Sequence, residues 1–328
     1  MKQRSQMVLL LIALYVLLPL LLRGNTYVMS ILVASLTIAG VALAWSLLGN
    51  LGGMVSFGHA AFFGVGSYVS AIVTMKLGVP VFVAMLFGGF GAMLASIAVL
   101  PALRLSGPYF ALAILAYAHI FKILATEFTS ITGGAGGLLG IPALPTIFGF
   151  NLSSKLGAYF VIISIILVFA FIYARIRSSY YGFALRAMHG SEDATRVVGV
   201  NSTLLKALML FLSAFMTGVI GAFNAHYINF LEPDYAFHNG WTMLPLVAAI
   251  FGGYRTLSGP LVGAVVVYTV DQLIFKSLIP SGHQIMLGVL LGIIILFAPD
   301  GLIPLLKNTV RRVRPAEKRP TPQTDAQC

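Results

Sequence analysis

An all-α polytopic membrane protein with about ten transmembrane helices is the fold class this sequence predicts. Three observations carry the prediction. Apolar residues make up 59% of the chain and charged residues only 9%, against roughly 25% charged in soluble domains. Several blocks of about 20 residues are almost free of charge, the length a helix needs to cross a bilayer. The alternating segments of about 10 residues that signal a β-barrel do not occur.

Taken in order, Lys2 and Arg4 precede an apolar run over residues 7–22. No small-x-small cleavage site follows it, so it is an expected uncleaved first span with a cytoplasmic N-terminus. Pro19 is placed to kink its far end. Further spans are expected at 27–49, 59–75, 80–103 and 108–126. The interval 127–156 holds a Gly-rich turn with Pro142 and Pro145, and is expected as a loop with a short helix. A span at 157–174 leads into the 175–206 loop, and a span at 204–230 follows. The apolar block 242–254 is too short to cross alone unless the bilayer thins or its ends extend. Spans at 259–279 and 284–303 finish the bundle. Residues 1–306 thus form one transmembrane domain, and 307–328 a basic, Pro-containing cytoplasmic tail expected to be disordered.

The formal charge of +11 does not point to nucleic acid. The basic residues lie in loops and tails without interleaved aromatics, the pattern that orients helices in a bilayer. With the N-terminus inside and 242–254 counted as a crossing, all basic residues except Arg23, Lys76, Lys122, Lys155 and Lys276 fall on the cytoplasmic side. Both termini and the 175–206 loop are then cytoplasmic. The lone cysteine, Cys328, excludes an internal disulfide or a Cys-based metal site. The histidines show no metal-ligand spacing, and no GxxxxGK[ST] phosphate loop is present, so this chain does not bind ATP in that way.

The chain is organised around the mixed-charge interval 175–206. Ser191 is suited to cap a short helix with Glu192 and Asp193 in its first turn. Gly199 stands where a left-handed stop belongs. A short capped helix between two spans is a docking surface, or else a plain loop whose charges set orientation. Ser56 and His59, three apart, share a helix face. They suit polar packing or the lining of a water-filled path, since polar groups in lipid need partners. The rest of a hydrolase set is missing. Arg104–Phe110 breaks one helix and starts the next at Pro108, with Tyr109 and Phe110 placed for a pathway or an interface. Thr129–Gly137 makes a flexible polar turn on the outer side. Glu232, Asp234 and His238 lie in a second outer loop. Asp271 stands inside a span and must be near an end, paired or functional. Gly52-Gly53 and Gly252-Gly253 each join two hydrophobic stretches, a weak hint of an internal repeat.

The run Gly52-Gly53-Met54-Val55-Ser56-Phe57-Gly58-His59-Ala60-Ala61-Phe62 through Gly64, Gly66 and Tyr68 resembles the signature of LivM-type permeases. These are membrane subunits of bacterial ABC importers for branched-chain amino acids. Gly107–Leu112, Thr132-Gly133-Gly134 with Gly136-Gly137-Leu138, and Gly182–Ala187 with Ala194, Gly199 and Asn201 resemble further family blocks. The resemblance spans about residues 27–300. It implies an ABC importer permease-like fold that makes no chemical bonds and holds no cofactor of its own. ATP and Mg would be bound by two cytoplasmic ABC ATPase subunits. A second homologous permease subunit and a periplasmic amino acid-binding protein would complete the assembly in the inner membrane. The coupling residues it implies are Gly182, Ala184, Arg186, Glu192, Asp193, Ala194, Arg196, Gly199 and Asn201. Arg186 and Arg196 are the expected contacts to acidic ATPase residues. Ser56, His59, Tyr109, Thr132 and Gly133 are the expected pathway residues. His189-Gly190 stands where the family more often has a charged or longer residue, so the coupling helix is expected to start later. Urea or short-amide import, ion-coupled transport centred on Asp271, and a hydrolase using Ser56 and His59 are the alternatives.

Overall fold

A computed structural model describes residues 25–305 apart from 106, 148, 280–281 and 299–300. The expected first span and the basic tail lie outside the described residues. Eight described helices are long and apolar enough to cross a membrane. The first, α1 (Thr26–Ser46), starts at Asn25, whose side chain accepts hydrogen bonds from the N–H groups of Tyr27 and Val28. It runs on through a π turn, Leu47–Leu51. An extended segment then leads to α2 (His59–Leu77), which stops at left-handed Gly78. Next come α3 (Val81–Ala95) and α4 (Pro108–Glu127). The end of α3 tightens into a 3-10 stretch, Ser96–Arg104, around Pro101, which has no N–H to continue the α pattern.

After α4 the chain forms a cap. It holds α5 (Thr129–Thr132), β1 (Leu138–Leu139) and a small hairpin of β2 (Thr146–Ile147) and β3 (Phe150–Asn151). Helix α6 (Lys155–Arg177) recrosses, capped by Ser154. At its far end lie α7 (Tyr180–Gly190) and α8 (Glu192–Val197). Helix α9 (Ser202–Ile228) returns to the cap, where β4 (Phe230–Leu231) pairs antiparallel with β1. The chain ends with α10 (Pro233–Ala236), α11 (Gly240–Gly252), α12 (Gly259–Val270) and α13 (His283–Phe297). A π turn, Asp271–Phe275, and a last helical turn extend α12 to Leu278.

Burial sorts these helices. The first span is 83% buried and the last only 19%, so α1 is the centre and α13 the rim. Helix α9 packs most extensively on α2 and α3. Glycines permit that approach: a Cβ on Gly218 would meet Ala92 Cβ at 2.5 Å and Gly88 O at 2.9 Å, and one on Gly88 would meet Gly66 O at 2.6 Å. Close backbone contact of this kind is what holds helices together in lipid.

Candidate functional site

Two helices begin inside the bundle rather than at its ends. Gly58, just before α2, lies against the Ile114 carbonyl: a Cβ there would stand 2.5 Å away. Ile114 is six residues, about 9 Å, along α4. The start of α11 lies beside the same turn of α2. The Thr242 hydroxyl accepts from Ala60 N–H at 2.9 Å, and the Trp241 ring stacks on Phe63 with centroids 3.9 Å apart.

A buried polar joint gathers there. His59 is fully buried. Its Nδ1 lies 3.1 Å from Ser56 Oγ and its Nε2 lies 2.9 Å from Ser213 Oγ on α9. Ser213 donates to the Ala44 carbonyl of α1 at 2.8 Å, and the Trp45 indole N–H donates to the Ser56 carbonyl at 2.9 Å. One histidine therefore links α1, α2 and α9. The two glycine-paired bends also meet. Ser46 donates to the Tyr254 carbonyl at 2.6 Å, and the Asn50 amide to the Arg255 carbonyl at 3.3 Å and to Tyr173 Oη of α6 at 2.8 Å.

The other expected pathway residues lie elsewhere. Tyr109 is 69% exposed at the start of α4. Thr132 sits beyond that helix's opposite end, where its hydroxyl donates to the Ala125 and Phe128 carbonyls. Gly133 follows with φ 77°, closing the α5 turn. Asp271 is buried and lies 2.8 Å from Nδ1 of His283, while Lys276 donates to Gln272.

At the far end, α8 starts and stops as the residue types require. Ser191 Oγ accepts from Ala194 N–H, and Gly199 has φ 87°. Helix α7 runs through His189 and Gly190, so the capped helix starts only after that pair. Glu192 accepts from Arg196 at 2.8 Å and from Lys206 of α9 at 2.7 Å. That Lys206 hydrogen bond is the chief reason the Glu192 carboxyl sits below the usual carboxylate range. Arg196 also donates to Ser202 Oγ at 2.8 Å. Arg186 donates to its own Gly182 carbonyl and lies over the Phe183 ring. Both arginines thus have partners within the chain. Outward, α7 and α8 present Val197, 87% exposed, and Val198, 76% exposed, beside the exposed charged residues Arg186, Asp193 and Arg196. Between the two helices lies a groove of about 500 Å³ lined by Tyr180, Phe183, Ala184, Ala187, Ala194 and Val198, among others. Asn201 caps α9 by accepting from Leu204 N–H.

Sequence reasoning missed Ser213, Thr242 and the tie through Lys206. A hydroxyl in an apolar stretch, mid-helix for Ser213 and in the first turn for Thr242, is the only signal the first two offer, because the partners lie far along the chain.

The fold and its two centres define a multi-pass helical membrane protein, with interrupted helices inside and a short capped helix at one end. The chain belongs to the family described as the branched-chain amino acid transport system permease component, whose model matches residues 27–299. It is 25% identical over 308 residues to the high-affinity branched-chain amino acid transport system permease protein LivM of Salmonella typhimurium, covering 84% of this chain and 72% of that one. It is 22% identical to a probable LivM of Methanocaldococcus jannaschii, covering 84% of each chain. It is 24% identical to LivH of Salmonella typhimurium, covering 81% of this chain and 91% of the relative. No solved structure matches.

Proposed function

We propose that this chain is a permease subunit of an ABC importer that carries branched-chain amino acids across the bacterial inner membrane. It pairs with a second, related permease subunit. Two cytoplasmic ATPases bind ATP and Mg and push on α7 and α8, and a periplasmic binding protein delivers the amino acid at the cap. Both termini are cytoplasmic. Residues 1–306 form the permease domain and 307–328 a tail.

The observation that carries this reading is the tie between lever and bundle. Glu192 joins α8 to Lys206 on α9, and α9 reaches His59 and Ala44 through Ser213. A push on α8 therefore moves the helix that packs on α2 and α3. Such a displacement is how small shifts at one site are converted to helix movement at another. The docking surface is mixed: exposed Val197 and Val198 lie beside Arg186 and Arg196, which stay exposed for acidic ATPase residues while also bracing α7 and α8.

The test is leucine uptake into vesicles holding the complete importer, with and without internal ATP. Val197→Asp places an acidic charge at an exposed apolar position of that surface and should abolish ATPase binding and uptake while the chain stays in the membrane. ATP-independent uptake, or unchanged ATPase binding by that variant, refutes the proposal. Competition by urea but not by leucine refutes the substrate class.

A further inference from the structure

The uncovered face of α4 differs from those of α3 and α13. Where α3 and α13 are exposed in mid-helix, they show apolar side chains such as Leu86, Phe90, Val289 and Ile293, as lipid contact requires. Helix α4 exposes Tyr109, Leu112, Ala116, His119, Ile120 and Ile123, which fall on one side of a helix. Among the described residues, His119 is the one ionisable side chain that is exposed near the middle of a span. It lies about 16 Å from the Pro108 end and about 12 Å from the Glu127 end. It makes no hydrogen bond or ion pair, whereas His59 and His226 are buried with both ring nitrogens engaged. One turn on, Lys122 meets Asp234 at 2.5 Å, so the polar line continues toward the cap.

An unpartnered imidazole at that depth is costly in lipid and is a mark of a substrate path. We propose that this face of α4 lines the aqueous passage, and that His119 contacts the charged end of the passing amino acid. The neighbouring Leu112, Ala116, Ile120 and Ile123 then offer an apolar surface, with space at Ala116, for a branched side chain. The inference rests on the import reading above and adds to it a residue that reads the solute.

The test uses the complete importer with Cys328, the only cysteine, replaced by serine. Single cysteines replace His119, Leu86 or Val289, and a charged, membrane-impermeant thiol reagent is applied from both sides of vesicles. The cysteine at 119 should react at least about tenfold faster than either control, and leucine supplied during ATP-driven turnover should slow it. His119→Leu should raise the half-saturating leucine concentration about tenfold, and His119→Gln should restore it. Labelling at 119 no faster than the controls, in vesicles that still take up leucine with ATP, overturns the passage. Fast labelling that leucine leaves unchanged overturns the contact. Loss of ATP-driven uptake by the unsubstituted importer would instead overturn the import reading, and the labelling comparison would still decide whether α4 faces water.

Discussion

Gly218 is the place where a single methyl group should matter most clearly. It lies on α9 where that helix crosses α3. An added Cβ would stand 2.5 Å from Ala92 Cβ, 2.9 Å from Gly88 O and 3.2 Å from Gly89 Cα. Ordinary contact begins at 3.4 Å, so the helices must part by nearly 1 Å. Two of the three atoms are backbone and cannot rotate away. On the other side, Gly66 of α2 is packed against the Gly218 backbone itself. Overpacking a core typically costs about 1–3 kcal/mol, and Gly218→Ala should reach the upper part of that range because backbone must move. The same change at Gly292 of α13, where a Cβ meets nothing within 4 Å, should stabilise by up to about 1 kcal/mol through helix propensity. Thermal loss of the monodisperse purified protein in detergent, followed by size-exclusion chromatography, compares the two. Equal stability of Gly218→Ala and the unsubstituted chain, or equal damage at Gly292, would refute the close crossing.

Other consequences follow from the buried joint and the lever. Thr242→Val keeps the shape but removes the acceptor for Ala60 N–H, and should cost about 1–3 kcal/mol, read in the same thermal assay with Thr242→Ser restoring the loss. The Glu192 tie is sensitive to acid in one direction. Its folded carboxyl is depressed below the ordinary 4.5, so its contribution is complete above that value and is lost as pH falls through the lower folded value. A spin label at Val197, in a Cys328→Ser background, should stay equally ordered from pH 8 to about pH 5 and loosen only below the ordinary carboxylate range. Glu192→Gln should show the looser signal at every pH. A transition centred near neutrality would show that another group holds α8.

Span positions were legible because hydropathy reports length directly. The expected 59–75 and 108–126 are α2 and α4 to within two residues at each end. The ends of α8 were legible because capping depends on residue type: serine accepts at Ser191, and only glycine takes φ 87° at Gly199 without strain. Which helix would be central was not legible. The first and last described spans have mean hydropathies of 2.2 and 2.3, yet one is the core and the other the rim. In lipid, an outward face is as apolar as an inward one, so composition cannot separate them. The intrachain partners were not legible either: Arg186 and Arg196 are exposed, yet the Gly182 carbonyl, Glu192 and Ser202 also hold them.

The short α11 shows how an apparent defect in the sequence becomes a structural device. A helix of 13 residues rises only about 20 Å, against the roughly 30 Å of a bilayer core. The chain has already covered part of that distance before α11 starts. Asp234 pairs with Lys122 near the cap end of α4, Phe237 stacks on Tyr68, and Trp241 stacks on Phe63. The last two steps meet α2, first at Tyr68 and then at Phe63, nearer its start. The descent leaves backbone outside regular helix at depth, which lipid forbids and protein permits. Here the Trp241 indole N–H donates to the Tyr235 carbonyl and Tyr235 Oη to Asn224. The stretch 52–58 enters from the opposite end in the same fashion. Two interrupted helices thus start face to face inside the bundle, with Thr242 hydrogen-bonded to Ala60. Both starts are held by side-chain contacts rather than by continuous helix, among them Thr242 on Ala60 N–H, Ser56 and Ser213 on His59, and Trp241 on Phe63.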